Sequence, residues 1–524
     1  MRARCAVQNV SAPRRALRTR RTKIPIAKAE ARAGFDEAVI CTEAKEEKKP
    51  LLKLKDAATR VGATCLTAAA LSGVSWLGTP KPCHASVEGQ ATISSTVSNT
   101  RTTSKAEVFT LAQEDELDKA DTAWVLTSTA LVLFMTIPGL SLFYAGLVKK
   151  ANVLSVLMHC FVITAMMTLM WVTFGYSMSF STMGMEEGTV NLASMVGGLD
   201  KVMLAGVTDA SLVGTIPEAL WVMFQMTFAI ITPALMVGAF VERLKFPAML
   251  AFVALFATFI YFPICHMVWS GPGALMADLG VLDFAGGIVV HITAGFAALL
   301  SCIMVGPRKE NKMTPHSLPL TVTGAGMLWV GWFGFNAGSA AASGALAASA
   351  MLVTQVSAAT ATLVWMIQDW IQDGKPTMLG AATGSIAGLA SITPAAGFVG
   401  VPGALMIGLA GGIICRWFAL TVKTKYAYDD SLDVFGVHGM GGFLGTILCG
   451  VFCSELFGGN QGAVSIVNQV GVQTLCSVAT VVYTLAATWL IMKGIEKTIG
   501  LRVTDGDELV GLDAAEHGEV SYID

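Results

Sequence analysis

The sequence predicts an all-α integral membrane protein: eleven transmembrane helices, arranged as two inverted five-helix repeats plus a long eleventh helix. Three observations carry that prediction. Hydrophobic residues make up 54% of the 524-residue chain and charged residues 14%, against roughly 25% charged in an ordinary soluble domain. The charges are unevenly placed, with residues 1–120 holding 20 of the 35 Lys+Arg. From Asp121 onward, long apolar segments alternate with short loops. This pattern excludes a soluble globular enzyme and a disordered chain. A net charge of −2, with the later basic residues in small clusters, excludes a nucleic-acid binder. The 53 Gly fit closely packed membrane helices, where small residues let backbones approach. The eleven Cys form no CxxC pair, and Cys449 and Cys453, one helical turn apart, read as buried thiols rather than a disulfide framework or metal site.

Residues 1–115 read as an N-terminal extension. The first 34 residues are rich in Arg, with Glu30 their only acid, which is transit-peptide composition. Lys53, Lys55 and Arg60 then precede a weakly apolar run, Val61 to Leu77, closed by Cys83-His84-Ala85 as a small-x-small cleavage candidate. A Ser/Thr-rich linker follows. A disordered tail and a two-part targeting sequence both fit this composition.

The membrane domain occupies 120–498. Spans are expected at about 121–147, 152–180, 217–241, 247–270, 283–305, 317–338, 343–368, 376–396, 401–422, 434–455 and 466–494, most with the ~20 residues a bilayer crossing needs. Lys149/Lys150, Arg243/Lys245, Arg308/Lys309/Lys312, Lys375, Arg416/Lys423/Lys425 and Lys493/Lys497/Arg502 follow the odd-numbered spans, and Lys201 is the one cation after residue 120 on the other side. The positive-inside rule then puts the N-terminus of the core outside and the C-terminal tail, 499–524, in the cytosol. A polybasic N-terminus would have to cross the membrane in that arrangement, and cleavage before insertion removes the conflict.

A weak repeat supports the inverted halves. Phe143-Tyr144-Ala145-Gly146 in span 1 matches Phe335-Asn336-Ala337-Gly338 in span 6. Asp283 opens span 5 with His291 eight residues on, and Asp433 opens span 10 with His438 five residues on. Five spans per half make the halves enter from opposite faces, with a working site expected near the midplane. His291 is placed about 12 Å along its span and His438 about 7–8 Å along its own, so both imidazoles approach the middle of a ~30 Å core. An ionisable residue there is a functional candidate by default, and the competing use is a buried polar link between helices. His159 has no mirrored counterpart and reads as such a link. His266, near a span end, reads as interfacial. Two histidines without Cys or Glu at coordinating spacing do not make a metal site, and no cofactor is expected. Trp269, ending span 4, reads alone as an interfacial anchor. Trp332, Phe333 and Phe335 in span 6, and Phe224 and Phe228 in span 3, read as lipid- or core-facing. If some of these rings faced an outer vestibule, their π faces would attract a small cation.

Five stretches resemble the ammonium transporter (Amt/Mep/Rh) family, in its bacterial-type Amt branch. They are Ala130 to Gly139, the span 4 run ending in Trp269, Asp283-Phe284-Ala285-Gly286-Gly287 continuing to His291, Gly331 to Ser339, and Asp433-Val434-Phe435-Gly436-Val437-His438-Gly439. The resemblance covers about residues 120–520. It implies the eleven-helix subunit with its inverted halves, assembled as a homotrimer with one pore per subunit. It implies ammonium recruitment at Trp269 and Ser339, with Asp283 shaping that outer site and Phe228 and Phe335 below it as a stacked gate beside Phe224. His291 and His438 would be the paired pore histidines. The C-terminal tail, with Gly511-Leu512-Asp513 and His517-Gly518-Glu519, is similar to the family's regulatory tail, which implies coupling between subunits and a PII-type signalling protein as a cytosolic partner. Ala515 stands where plant relatives carry a phosphorylatable Thr. The bland alternative is a solvated acidic tail. An ammonium sensor of the same fold and a membrane enzyme are the competing function classes. The membrane itself, plasma membrane or plastid, is left undecided by the residues.

Overall fold

Apolar runs bounded by caps and prolines become helices here. The computed structural model describes residues 116–310 and 314–523, and the expected targeting extension, 1–115, lies outside the described residues. Ten helices among the described residues are long and apolar enough to cross a membrane: α1 (Lys119–Leu147), α2 (Lys150–Phe180), α3 (Glu218–Phe240), α4 (Phe246–Trp269), α5 (Gly287–Val305), α6 (Leu318–Gly338), α7 (Ala345–Asp373), α9 (Val401–Tyr426), α10 (Phe435–Phe452) and α11 (Ile466–Thr498). The segment expected to span at 376–396 forms α8 (Met378–Ile392), of 15 residues. At 1.5 Å per residue that is about 22 Å, short of a ~30 Å hydrocarbon layer.

Local chemistry sets the helix starts. Asp118 accepts hydrogen bonds from the amides of Ala120 and Asp121 at the head of α1, and Thr377 and Ser465 cap α8 and α11. Pro247, Pro319 and Pro402 occupy the first turns of α4, α6 and α9, where a missing N–H leaves nothing unpaired. The long connection between α2 and α3 carries a two-residue antiparallel hairpin, β1 (Leu212–Val213) with β2 (Ile216–Pro217).

Glycine sets the closest helix contacts. A Cβ on Gly295 in α5 would lie 2.2 Å from Gly439 Cα in α10, and one on Gly442 would lie 2.6 Å from His291 Cβ. In the α1–α6 pair, Gly146 meets Thr321 and Gly338 meets Ser128, so each helix carries a late glycine against the early part of the other. α5 begins near Trp269, whose indole reaches Asp283. α10 begins at the opposite end, beside Arg308, which follows α5 and is tied to Asp429. The two histidine-bearing helices therefore enter the bundle from opposite sides.

The side where α11 ends, called the tail side below, holds a buried charge cluster. Arg243 is fully buried. Its guanidinium donates to the carbonyls of Gly306, Val241, Ala239 and Asp429 and to Ser431 Oγ. Arg308 pairs with Asp429 at 2.8 Å and with Glu242 at 3.0 Å. Charge counting places these two arginines in loops, and the structure turns them inward as braces among connections. The tail is not a solvated strand of acids. It folds into α12 (Asp505–Val510) and α13 (Leu512–His517). Asp513 accepts from the Ser155 amide, Asn152 from the Leu512 amide and Glu516 from the Phe246 amide. Glu508 joins Arg502 and the Lys309 amide.

Arg308→Met tests the brace. Glu242 and Asp429 would be left buried without their partner, a change that typically costs about 3–5 kcal/mol. Thermal unfolding in detergent should show a clearly lowered midpoint, and an unchanged midpoint would show that the cluster is not structural.

Candidate pore

The two helix heads that carry the histidines are built alike. The Asp283 carboxylate accepts from the amides of Gly286, Gly287, Ile288 and Val289 at 2.6–3.1 Å, leading into a π-helical turn, Gly287–Ile292, that contains His291. Asp430 accepts from the amides of Val434 and Phe435 at 3.1 and 2.8 Å, leading into a second π turn, Phe435–Gly439, that contains His438. This corrects the expected correspondence. The counterpart of Asp283 is Asp430, and each acid precedes its histidine by eight residues. Asp433 instead sits at φ 61° and pairs with Lys423, so its carboxylate is turned away from the helix head. Asp430 lies in the connection before α10, where burial first, and then the Asp433 charge, push its carboxyl up to about 6 against the pull of Lys423. Single-turn π segments widen a helix locally and recur at functional sites, and here they present both rings.

His291 and His438 meet. Their Nδ1 atoms are 3.2 Å apart, and the rings lie nearly parallel, with centroids 5.2 Å apart at 19°. Two uncharged rings in this contact would hold opposite tautomers, one Nδ1 donating and the other accepting. One Nε2 is then a lone pair and the other an N–H. His291 Nε2 is buried and has no hydrogen-bond partner. Both rings line a cavity of about 10 Å³ whose other walls include Ile231, Leu235, Val290 and Leu328. That is about the room one water-sized molecule requires. The cavity is therefore narrow and apolar except at the imidazoles.

Aromatic rings continue from His291 towards the Trp269 end. Phe335 stacks near His291 at 6.2 Å. Phe228 lies on Phe335 at 4.4 Å and 40°, with Phe224 edge-on to Phe228 at 5.0 Å. Trp269 meets Phe228 edge-on at 5.9 Å. Its indole N–H donates to the Asp283 carbonyl at 2.8 Å, so one residue both caps α5 and orients the tryptophan. Ser339 is half-buried and joins the group through its hydroxyl, which donates to the Phe335 carbonyl at 2.8 Å. All the expected site residues thus fall in one connected column.

Trp332 reads in the sequence as lipid- or core-facing, and it is buried in the core, within the column. It stacks on His291 at 5.6 Å and 22°, and its indole N–H donates to Thr393 Oγ1 at 2.9 Å. Thr393 in turn donates to the Leu389 carbonyl. An aromatic residue in an apolar span carries no sequence mark of this role. His266, near the end of α4, is fully buried, its two ring nitrogens at the Ser179 and Ala193 carbonyls. His159 is buried against Phe246, ring on ring at 5.8 Å, away from the pair.

The sequence model described as the Ammonium Transporter Family matches residues 123–522. The ammonium transporter of Aquifex aeolicus is 42% identical over 416 residues, 79% of this chain and 96% of that protein. The ammonium transporter Amt1 of Archaeoglobus fulgidus is 42% identical over 410 residues, 78% of this chain and all of that one. Among solved structures, Mep2 of Saccharomyces cerevisiae superposes with a TM-score of 0.69 at 33% identity, covering 78% of this chain and 92% of its own. A structure titled Sensor Amt Protein superposes with a TM-score of 0.69 at 26% identity, covering 76% of this chain and 98% of that one. With the model spanning most of the chain and relatives above 40% identity matched along nearly their whole length, this integral membrane protein belongs to the ammonium transporter family.

Proposed function

We propose that the chain moves ammonium across a membrane by admitting the cation at Trp269 and Ser339, transferring its proton near the Phe228–Phe335 gate either to outer-side water or to the His291–His438 pair, and passing ammonia beyond the gate. The observation that carries this reading is the pair of imidazoles 3.2 Å apart on a cavity of about 10 Å³. Moving a bare ion through hydrocarbon costs several kcal/mol at least. Ammonia avoids most of that cost, and it can donate to a ring nitrogen lone pair and accept from a ring N–H. The opposite tautomers of His291 and His438 offer it one of each. At the outer end, the Trp269 ring and the Ser339 hydroxyl replace part of the hydration of NH₄⁺ through cation–π and hydrogen-bonding contacts. Asp283 acts by fixing the Trp269 ring rather than by touching the ion.

The finer arrangement follows the same reading. The subunit has eleven crossings, with α8 and the turns that continue it through 393–398 completing the count, and α5 and α10 are the corresponding helices of two inverted halves. The tail side is cytosolic or its topological equivalent, because thirteen of the fourteen described cations after residue 120 lie there. Three subunits assemble, each with its own pore. The folded tail, α12–α13, is the regulatory segment and the face for a PII-type protein. The Arg-rich start of residues 1–115 favours targeting to an organelle such as a plastid, and the core alone equally suits a plasma membrane. A sensing role is the second reading, favoured by the likeness to the structure titled Sensor Amt Protein. The higher identity to proteins named transporters supports transport.

Uptake of labelled methylammonium by yeast lacking its own ammonium transporters tests the proposal. The core should restore uptake, and an expressed, membrane-inserted protein that gives none would leave sensing as the better reading. In the same assay Trp269→Leu should raise half-saturation by about 2–30-fold, the range of a cation–π contact worth ~0.5–2 kcal/mol. Unchanged concentration dependence would remove Trp269 from recruitment.

A further inference from the structure

A cavity far larger than the one between the histidines lies outside the pore. It is a trough of about 1090 Å³ on the outside, between α4 and α11. Ala251, Leu255 and Phe259 form one wall, and the α11 face opposite includes Ala479, Ala486 and Gly494. These small residues keep the trough open, and a Cβ on Gly494 would meet nothing within 4 Å. From Leu475 to Ile499 the α11 wall runs about 36 Å at 1.5 Å per residue, the full thickness of a ~30 Å hydrocarbon core. Partway along, the Tyr483 hydroxyl donates to the Phe259 carbonyl at 2.6 Å. That carbonyl lies in the π turn of α4, Ala257–Tyr261, so the bond crosses the trough where the helix ladder is loosened.

The ends differ in charge. Residues 459–492 carry no charged side chain, so the end away from the tail is neutral. At the tail-side end, Lys245 Nζ lies 3.2 Å from the carbonyl of Ile499, a trough residue. Lys493 and Lys497 stand on the last turns of α11, with Glu496, the partner of Lys493, as the acid among them. An apolar channel ending in a net positive cluster at one membrane face has the shape and charge of a phospholipid site. Its chain would lie along α11 and its phosphate beside the lysines. A free phosphate has no use for the trough, and an uncharged lipid has none for the lysines.

We infer that the α4–α11 trough is a binding site for an anionic phospholipid of the tail-side leaflet, with an acyl chain between Leu255 and Ala486 and the headgroup at Lys245 and Lys497. This rests on the membrane location of the helices and not on the pore mechanism. Native mass spectrometry of the full chain in mild detergent, titrated with palmitoyl-oleoyl phosphatidylglycerol or phosphatidylcholine, tests it. The first phosphatidylglycerol should bind at least about fivefold more tightly than phosphatidylcholine, the ratio that about 1 kcal/mol from a single lysine gives. Lys245→Gln with Lys497→Gln should bring the two lipids level. Ala486→Phe, or Gly494→Leu should the first variant fold poorly, should fill the trough and weaken both lipids. Equal binding of the two lipids by the unsubstituted protein, or lipid binding untouched by trough filling, would overturn the site. So would a change in the number of chains per particle on filling with lipid binding intact, which would show that a second copy covers the trough.

Discussion

Replacing His291 by Ala is expected to abolish selective ammonium uptake while the protein still assembles, and His438→Ala is expected to do the same. The reason is geometric. The two Nδ1 atoms share one hydrogen bond at 3.2 Å, and that bond fixes which Nε2 donates and which accepts. Removing either ring frees the other to turn or change tautomer, so the complementary pair seen by ammonia is lost even though one imidazole remains. A buried polar group deprived of its partner costs about 1–3 kcal/mol, and a barrier raised by that amount slows passage by about 5–150-fold. The truncated side also enlarges the cavity, and on the proposed pore reading the wider space should let water and ions through. Uptake of labelled methylammonium, measured beside the size-exclusion profile of the purified protein, separates the two effects. Normal uptake and selectivity in both variants would show that the pair is only a structural link between α5 and α10.

The bilayer made much of this architecture legible. A crossing needs a long apolar run, so most span boundaries stand in composition alone, and the short α8 differs because length was inferred from hydropathy that continues past Ile392 into a loop. His291 and His438 were visible because ionisable groups in such runs are rare. Trp332 was not, because an indole stacked on a histidine and an indole facing lipid look the same in sequence. Nor was Thr393, which acts only by holding that indole. The choice between Asp430 and Asp433 was hidden for another reason. Two acids three residues apart are equivalent until the backbone turns, and the positive φ at Asp433 sends its carboxylate to Lys423 and leaves the helix head to Asp430. Arg243 and Arg308 were counted correctly as tail-side charges, but charge counting carries no information on whether a side chain turns outward or into buried carbonyls.

Gly295→Ala should cost transport nearly as much as losing a histidine, although Gly295 bears no side chain to offer a substrate. The added Cβ would lie 2.2 Å from both Cα and N of Gly439. Its neighbour is backbone, so no side chain can swing aside, and α10 must retreat by at least about 1.2 Å to reach the 3.4 Å of ordinary van der Waals contact. His438 directly precedes Gly439, and His291 lies one turn before Gly295 on α5, so the retreat acts on the ring pair itself. A 3.2 Å contact lengthened by about 1 Å is no longer a hydrogen bond. Overpacking of this kind typically costs about 1–3 kcal/mol in stability, so the unfolding midpoint should fall together with uptake. Gly471→Ala is the matched control. It lies in α11 with nothing within 4 Å of the new Cβ, and there the same substitution should raise stability by up to about 1 kcal/mol through helix propensity with uptake unchanged. The same methyl group should therefore act in opposite directions at two membrane glycines. If Gly295→Ala transports and unfolds like the unsubstituted protein, the close approach of α5 and α10 does not set the distance between the imidazoles.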